Sequence, residues 1–99
     1  GASSLGTLTE ANDNVAIGHA ALNANTSGTQ NVAVGAYALD ANTTASYNTA
    51  LGHNALGSNI DGAGNVAIGT QALTACTDSD GNVAIGVLVT KTLRIPLSK

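Results

Sequence analysis

The chain has no Phe, Trp or Met, and only two of its 99 residues are Tyr. Because these large side chains fill most protein cores, their scarcity argues against a conventional globular core. Small and polar residues are abundant instead, with 18 Ala, 12 Gly, 12 Thr and 11 Asn. A hydrophobic fraction of 43% nevertheless argues against disorder. The composition therefore predicts one ordered domain with a core of small side chains.

Charged side chains are also scarce, at 9% of the chain. The chain has three basic residues, all in the last nine positions. Three are too few for a nucleic-acid-binding surface. No apolar run reaches the length of a membrane span. A single cysteine, Cys76, excludes an intrachain disulfide. We therefore expect neither a nucleic-acid partner nor insertion into a membrane.

One five-residue motif recurs every 17 residues: Asn, then Val or Thr, then Ala, an aliphatic residue and Gly. Its copies start at Asn14, Asn31, Asn48, Asn65 and Asn82. Because 17 residues are too few for a two-helix repeat, this period predicts the stacked coils of a β-solenoid. The first residues of the chain continue the same phase backwards, so we expect the chain to begin inside a repeat of a longer array.

Each coil is predicted to contain two short strands. In Val15-Ala16-Ile17 the β-branched residues alternate with Ala, which is typical of a strand. The second predicted strand carries an Ala-Leu pair such as Ala21-Leu22. The Gly that closes each motif predicts a corner, and the Asn, Thr and Ser residues further on predict turns.

Both faces of the motif strand are apolar, so we expect both faces to be covered. The large side chains are expected to fill the chain's own coil, and the small ones to permit close approach between chains. A thin coil loses more conformational entropy than its few aliphatic side chains offset, which favours a homotrimer with shared burial. The alanines predicted to form the trimer interface are Ala16, Ala33, Ala50, Ala67 and Ala84.

The predicted fold is thus all-β: a homotrimeric parallel β-solenoid, or β-roll, with 17-residue coils over residues 1–86. Residues 87–99 alternate apolar with polar or basic side chains and are predicted to form a C-terminal capping or joining strand.

The strings NVAIG, NVAVG and NTALG, with the turn Ala41-Asn42-Thr43-Thr44, resemble the β-roll head repeats of trimeric autotransporter adhesins. They are still more similar to the TALG-type repeats of phage tail fibres. The resemblance covers residues 1 to about 86. It implies a trimeric left-handed parallel β-roll without catalysis, on a virion tail fibre or a bacterial cell surface.

Candidate catalytic and metal-binding residues form no familiar pattern. His19 and His53 share a repeat position two coils apart, about 10 Å, which is too far to share a metal within one chain. Asp78-Ser79-Asp80 lacks the residue order of an EF-hand loop. We therefore predict no enzymatic activity, no cofactor and no metal. A ring of His side chains from three chains and a cation at the acidic turn stay open as alternatives.

The turns carry the candidate receptor site, because they offer hydroxyls, amides and aromatic rings to a host glycan or protein. The candidate residues are Tyr37, Tyr47, Asn25, Asn42, Thr26 and Thr43. The predicted function is a structural and attachment segment of a trimeric fibre, which either presents these turns to a host receptor or acts as a spacer. The alternative function is an ice-binding β-solenoid, because stacked Thr residues form a regular column of hydroxyls.

Overall fold

A computed structural model describes residues 13–75 and 77–89. It contains five strands in one sheet, β1 (Val15–Ile17), β2 (Val32–Val34), β3 (Thr49–Leu51), β4 (Val66–Ile68) and β5 (Val83–Ile85). Every neighbouring pair is parallel, and Val15 pairs with Val32 in the same register that pairs Val66 with Val83. The predicted parallel β-solenoid with 17-residue coils is confirmed. Within the described residues no helix is long and apolar enough to cross a membrane.

The predicted corners are confirmed by the backbone. The glycine after each strand has a φ between 119° and 131°, in a region that residues with a Cβ rarely adopt. These residues are Gly18, Gly35, Gly52, Gly69 and Gly86. The predicted C-terminal strand over 87–99 lies mostly outside the described residues, and 87–88 form part of a turn.

The second strand predicted in each coil is absent from the described residues, and the prediction was wrong. Residues 19–24 form consecutive turns, in which the N–H of Ala21 donates to the carbonyl of Gly18 at 3.2 Å. Leu22 has a φ of 52°, and the equivalent leucines have φ values between 51° and 54°. A left-handed backbone at every second residue is incompatible with a strand. The turn still bonds to the next coil, because the N–H of Leu22 donates to the carbonyl of Ala38.

The core is formed by the column of leucines and by the alanines at the centre of each strand. Leu22, Leu39 and Leu56 are completely buried. The strand alanines Ala33, Ala50, Ala67 and Ala84 have no exposed surface within the single chain and belong to the same cluster. Ala16, in the first described strand, is partly buried against it.

This arrangement corrects the predicted trimer interface. The interior alanines Ala33, Ala50, Ala67 and Ala84 are buried by their own chain and present no face to another one, whereas Ala16 is partly buried against the same cluster. The coil is thin, so a Leu on one side leaves room only for a methyl group on the other. The large strand residues therefore point outwards, and Ile17 and Ile85 are 55% and 65% exposed.

Candidate attachment surface

Two of the candidate receptor residues, Asn25 and Asn42, are completely buried, which overturns their assignment. The Nδ2 of Asn42 donates to the Oδ1 of Asn25 at 3.0 Å, and the Nδ2 of Asn59 donates to the Oδ1 of Asn42 at 3.1 Å. The same amides also close their own turns, as Asn25 does by donating to the carbonyl of Gly28. These three asparagines form an internal ladder that no receptor can contact.

A second internal ladder is formed by the asparagines that begin the motif. The Oδ1 of Asn31 accepts the backbone N–H of Asn48 at 2.9 Å, and the Oδ1 of Asn48 accepts that of Asn65 at 2.9 Å. Their Nδ2 groups donate to turn carbonyls 14 residues further along, as Asn31 does to Ala45. Sequence reasoning did not assign this role, although the recurrence of Asn at one position in all five motifs was the available signal.

The first ladder stops at Asn59, which is completely buried. Its Oδ1 has no hydrogen-bond partner among the described residues. Cys76 stands 17 residues later, at the repeat position that Asn25, Asn42 and Asn59 occupy. A cysteine has no amide to donate, so the sequence change explains the unpaired oxygen.

The threonine column lies along a turn, and its hydroxyls take part in the stacking of the coils. The Oγ1 of Thr26 donates to the carbonyl of Thr43 at 3.1 Å, and that of Thr43 to the carbonyl of Ile60 at 3.4 Å. Both threonines are partly exposed, whereas Ile60 interrupts the column with a side chain that is 48% exposed. Thr26 and Thr43 therefore lie at the surface, with hydroxyls that also bond to the neighbouring coil.

Tyr37 and Tyr47 are 41% and 64% exposed, as a receptor-binding role requires. They lie at opposite ends of the strand segment of the coil, because Tyr37 follows β2 and Tyr47 immediately precedes Asn48 and β3. The backbone N–H of Tyr37 donates to the carbonyl of His19, and that of Tyr47 to the carbonyl of Thr29. The two rings belong to separate parts of the surface.

Tyr37 brings the two histidines into one aromatic row, which sequence reasoning missed. Its ring centroid lies 5.4 Å from that of His19 and 5.9 Å from that of His53, with interplanar angles of 78° and 89°. Ala36 occupies the histidine position of the intervening coil. The ring of the adjacent Tyr37 contacts the histidine rings of the coils on either side. We call His19, Tyr37 and His53 the aromatic row. All three side chains are exposed.

Asp40 lies beside the aromatic row, at the end of the turn that Tyr37 begins. Its backbone N–H donates to the carbonyl of Tyr37 at 3.3 Å. Burial raises the pKa of the Asp40 carboxyl above its usual value, and the positive charge of His19 lowers it by a smaller amount. A carboxylate acceptor thus lies close enough to His19 to interact with it electrostatically.

Two stacked turns carry exposed aspartates, with Asp61 in the first turn and Asp78 and Asp80 in the next. One carboxylate oxygen of Asp80 accepts the backbone N–H of Ala63 at 2.8 Å, so this side chain links two coils. Nowhere in 13–75 and 77–89 do three or more His, Cys, Asp or Glu side chains form a group able to hold a metal ion.

The outward side of the sheet is an apolar surface with two columns of side chains, and we call it the sheet face. One column holds Val15, Val32, Thr49, Val66 and Val83, and the other holds Ile17, Val34, Leu51, Ile68 and Ile85. Nine of the ten are aliphatic, and none is charged. The side chains of this face on β1 and β5 are exposed, and those on the three strands between them are partly exposed. Monomeric proteins seldom leave such a continuous apolar patch uncovered unless it binds something.

Neither a family model, nor a curated protein, nor a solved structure matches the chain.

Proposed function

We propose that this chain is a structural and attachment segment of a homotrimeric fibre, outside the cell, of the kind found in phage tail fibres and bacterial surface adhesins. The observation that carries the proposal is the sheet face. It joins all five described strands without a charged residue, and its end positions Val15 and Ile85 are 46% and 65% exposed. An aliphatic surface of this regularity is stabilised by burial against another protein surface.

A second copy of the same chain fits the sheet face best. Side chains on parallel strands repeat at the spacing of the strands, about 4.8 Å. A partner with the same coil spacing places an aliphatic side chain opposite every aliphatic side chain along the full length of the face. The number of chains, three, follows from the resemblance to trimeric fibre repeats. The interface is formed by the valines and isoleucines in place of the alanines.

Attachment is then assigned to the residues that lie on the corners and turns. With the sheet faces buried between chains, Tyr37, Tyr47, Thr26 and Thr43 remain available on the outer surface. Asn25 and Asn42 contribute by stabilising the turns on which Thr26 and Thr43 lie. If these turns bind no receptor, the same segment serves as a rigid spacer of the fibre.

The solution mass tests this proposal directly. Light scattering behind a sizing column is expected to give three times the chain mass of 9.6 kDa. Replacing Ile68 by Glu places a charge in the centre of the sheet face and is expected to reduce the mass to that of a single chain. Thr70→Glu is the matched control, because Thr70 is exposed and lies just beyond the corner of the same coil. It is expected to leave the mass unchanged.

A mass of one or two chains for the unsubstituted protein would contradict the trimer. A trimer that survives Ile68→Glu but not Thr70→Glu would contradict the assignment of the interface to the sheet face.

A further inference from the structure

The aromatic row is a surface feature that the stability of the coil does not explain. The core beneath it is complete, since Ala21, Ala38 and Ala55 are fully buried beside their leucines. In the next coil the positions of His53 and Asn54 are held by Thr70 and Gln71, so this corner folds without any ring. Three exposed rings at one place therefore point to a ligand.

The backbone holds the rings of this row in place. The N–H of Tyr37 donates to the carbonyl of His19 at 2.8 Å, and that of Asn54 donates to the carbonyl of Ala36 at 2.8 Å. Tyr37 has a left-handed φ of 64°, and its ring contacts the rings of both histidines. The edge-to-face contacts at 5.4 and 5.9 Å lie in the favourable range for aromatic pairs. Little order has to be gained when a ligand binds to a surface held in this way.

We propose that the aromatic row, together with Asp40, binds a neutral oligosaccharide. This inference rests on the proposed attachment function and names the ligand class and the site. The rings of Tyr37 and the imidazoles offer apolar surface to the C–H groups of sugar rings. The tyrosine hydroxyl, the imidazole nitrogens and the Asp40 carboxylate offer the donors and acceptors that sugar hydroxyls require. Because the three rings lie in a row, they fit a chain of sugars better than a single one.

The charge of the surface selects for a neutral ligand. The described residues include five aspartates, namely Asp13, Asp40, Asp61, Asp78 and Asp80, and they include no Lys or Arg. Asp40 interacts electrostatically with His19 of the row. A sulfated or carboxylated glycan would meet repulsion from the Asp40 carboxylate, and the described residues offer no Lys or Arg to offset it.

Nuclear magnetic resonance tests the proposal cleanly, because the chain has only two His and two Tyr. The ring signals of the assembled protein are recorded during titration with cellohexaose, maltohexaose and chitohexaose, and with a heparin hexasaccharide as the anionic comparison. At least one neutral hexasaccharide is expected to shift the signals of His19, Tyr37 and His53 together. The side-chain amide signals of Gln30, which is exposed and is not one of the attachment residues, are the internal control and are expected to stay in place.

Variants separate binding from folding. Tyr37→Ala and His53→Ala are each expected to weaken binding at least tenfold. Gln30→Ala is the control, because Gln30 is exposed and is not one of the attachment residues, and it is expected to leave binding unchanged. The solution mass and far-ultraviolet circular dichroism of each variant should match those of the parent chain. Loss of binding in Gln30→Ala, binding of the heparin hexasaccharide alone, or no shift with any neutral sugar would each overturn the proposal. A protein that keeps its trimeric mass but binds no sugar would refute this site and leave the fibre proposal standing.

Discussion

Asn42 donates a hydrogen bond from its side-chain Nδ2 to the Oδ1 of Asn25, 3.0 Å away on the preceding coil. The same Nδ2 group donates to the carbonyl of Ala45 at 3.1 Å, three residues along its own turn. One amide therefore closes a turn and joins two coils at once. Asn suits this position because its side chain carries both a donor and an acceptor.

Extending this ladder is expected to stabilise the protein. Cys76→Asn supplies an Nδ2 at the repeat position after Asn59, whose buried Oδ1 has no partner among the described residues. A buried polar atom without a partner costs about 1–3 kcal/mol, so we expect the free energy of unfolding to rise by about 1 kcal/mol. Urea unfolding measures the change. Cys76→Ala is the control, because it removes the thiol without adding a donor, and it should give no gain.

The reverse change within the ladder should be costly. Asn42→Cys removes the donor to Asn25 and to Ala45 and leaves both acceptors buried. We expect the free energy of unfolding to fall by about 2 kcal/mol or more. Equal stability of this variant and the parent chain would show that the ladder contributes nothing.

Gly52 is expected to tolerate no side chain. A Cβ at this position would lie 2.7 Å from the backbone carbon and oxygen of Gly69, and φ is +130°. Gly52→Ala should therefore lower the free energy of unfolding by about 3 kcal/mol or more. Gly64→Ala is the matched control, since φ there is +72° and the nearest atom is 3.9 Å from the added Cβ. Only the left-handed backbone then opposes the change, at about 1–2 kcal/mol. Thermal unfolding of the two variants compares them, and equal losses would contradict the close contact of the coils.

The pH dependence of stability should report on Asp40. Burial raises the pKa of its carboxyl above the usual 3.8 in the folded protein, an effect larger than the lowering by His19. The charged form is therefore less favourable in the folded than in the unfolded state. This cost is fully present above the folded pKa and disappears as the pH falls below the unfolded one.

Asp40→Asn removes this charge and is expected to be more stable than the parent chain at pH 7. The difference should vanish near pH 3, where the carboxyl is protonated in both states. Denaturant unfolding at the two pH values provides the measurement, with Asp61→Asn as the control because Asp61 is exposed. A stability gain of equal size at both pH values would assign the effect to packing of the amide and not to the charge.

The coil architecture was predictable because its signals are local and repeated. Five glycines at one repeat position predicted the corners, and the alternation in Val15-Ala16-Ile17 predicted β1. The Ala-Leu pair was misleading, because a short apolar pair fits a strand and a left-handed turn equally well. Only the φ of 52° at Leu22 separates the two.

The direction of the strand faces and the location of the asparagines were not predictable from residue type. Large aliphatic side chains usually lie inside a protein, yet Val15 and Ile17 point outwards because the leucine column already fills the narrow interior. Asparagine usually marks an exposed turn, whereas Asn48 is completely buried and bonded on both sides. The contact of Tyr37 with both histidines depends on which side chains stack across coils, and a linear search for metal-binding spacings does not detect it.

The outer corner changes from coil to coil, through His19, Ala36, His53 and Thr70, while Leu22, Leu39, Leu56 and Leu73 lie beneath it unaltered. The residues that hold the coils together and the residues that face the surroundings are therefore different ones. Mutation can rewrite the corners one coil at a time without disturbing the interior. New side chains can therefore be grafted onto the corners of this scaffold while the leucine column beneath them is kept.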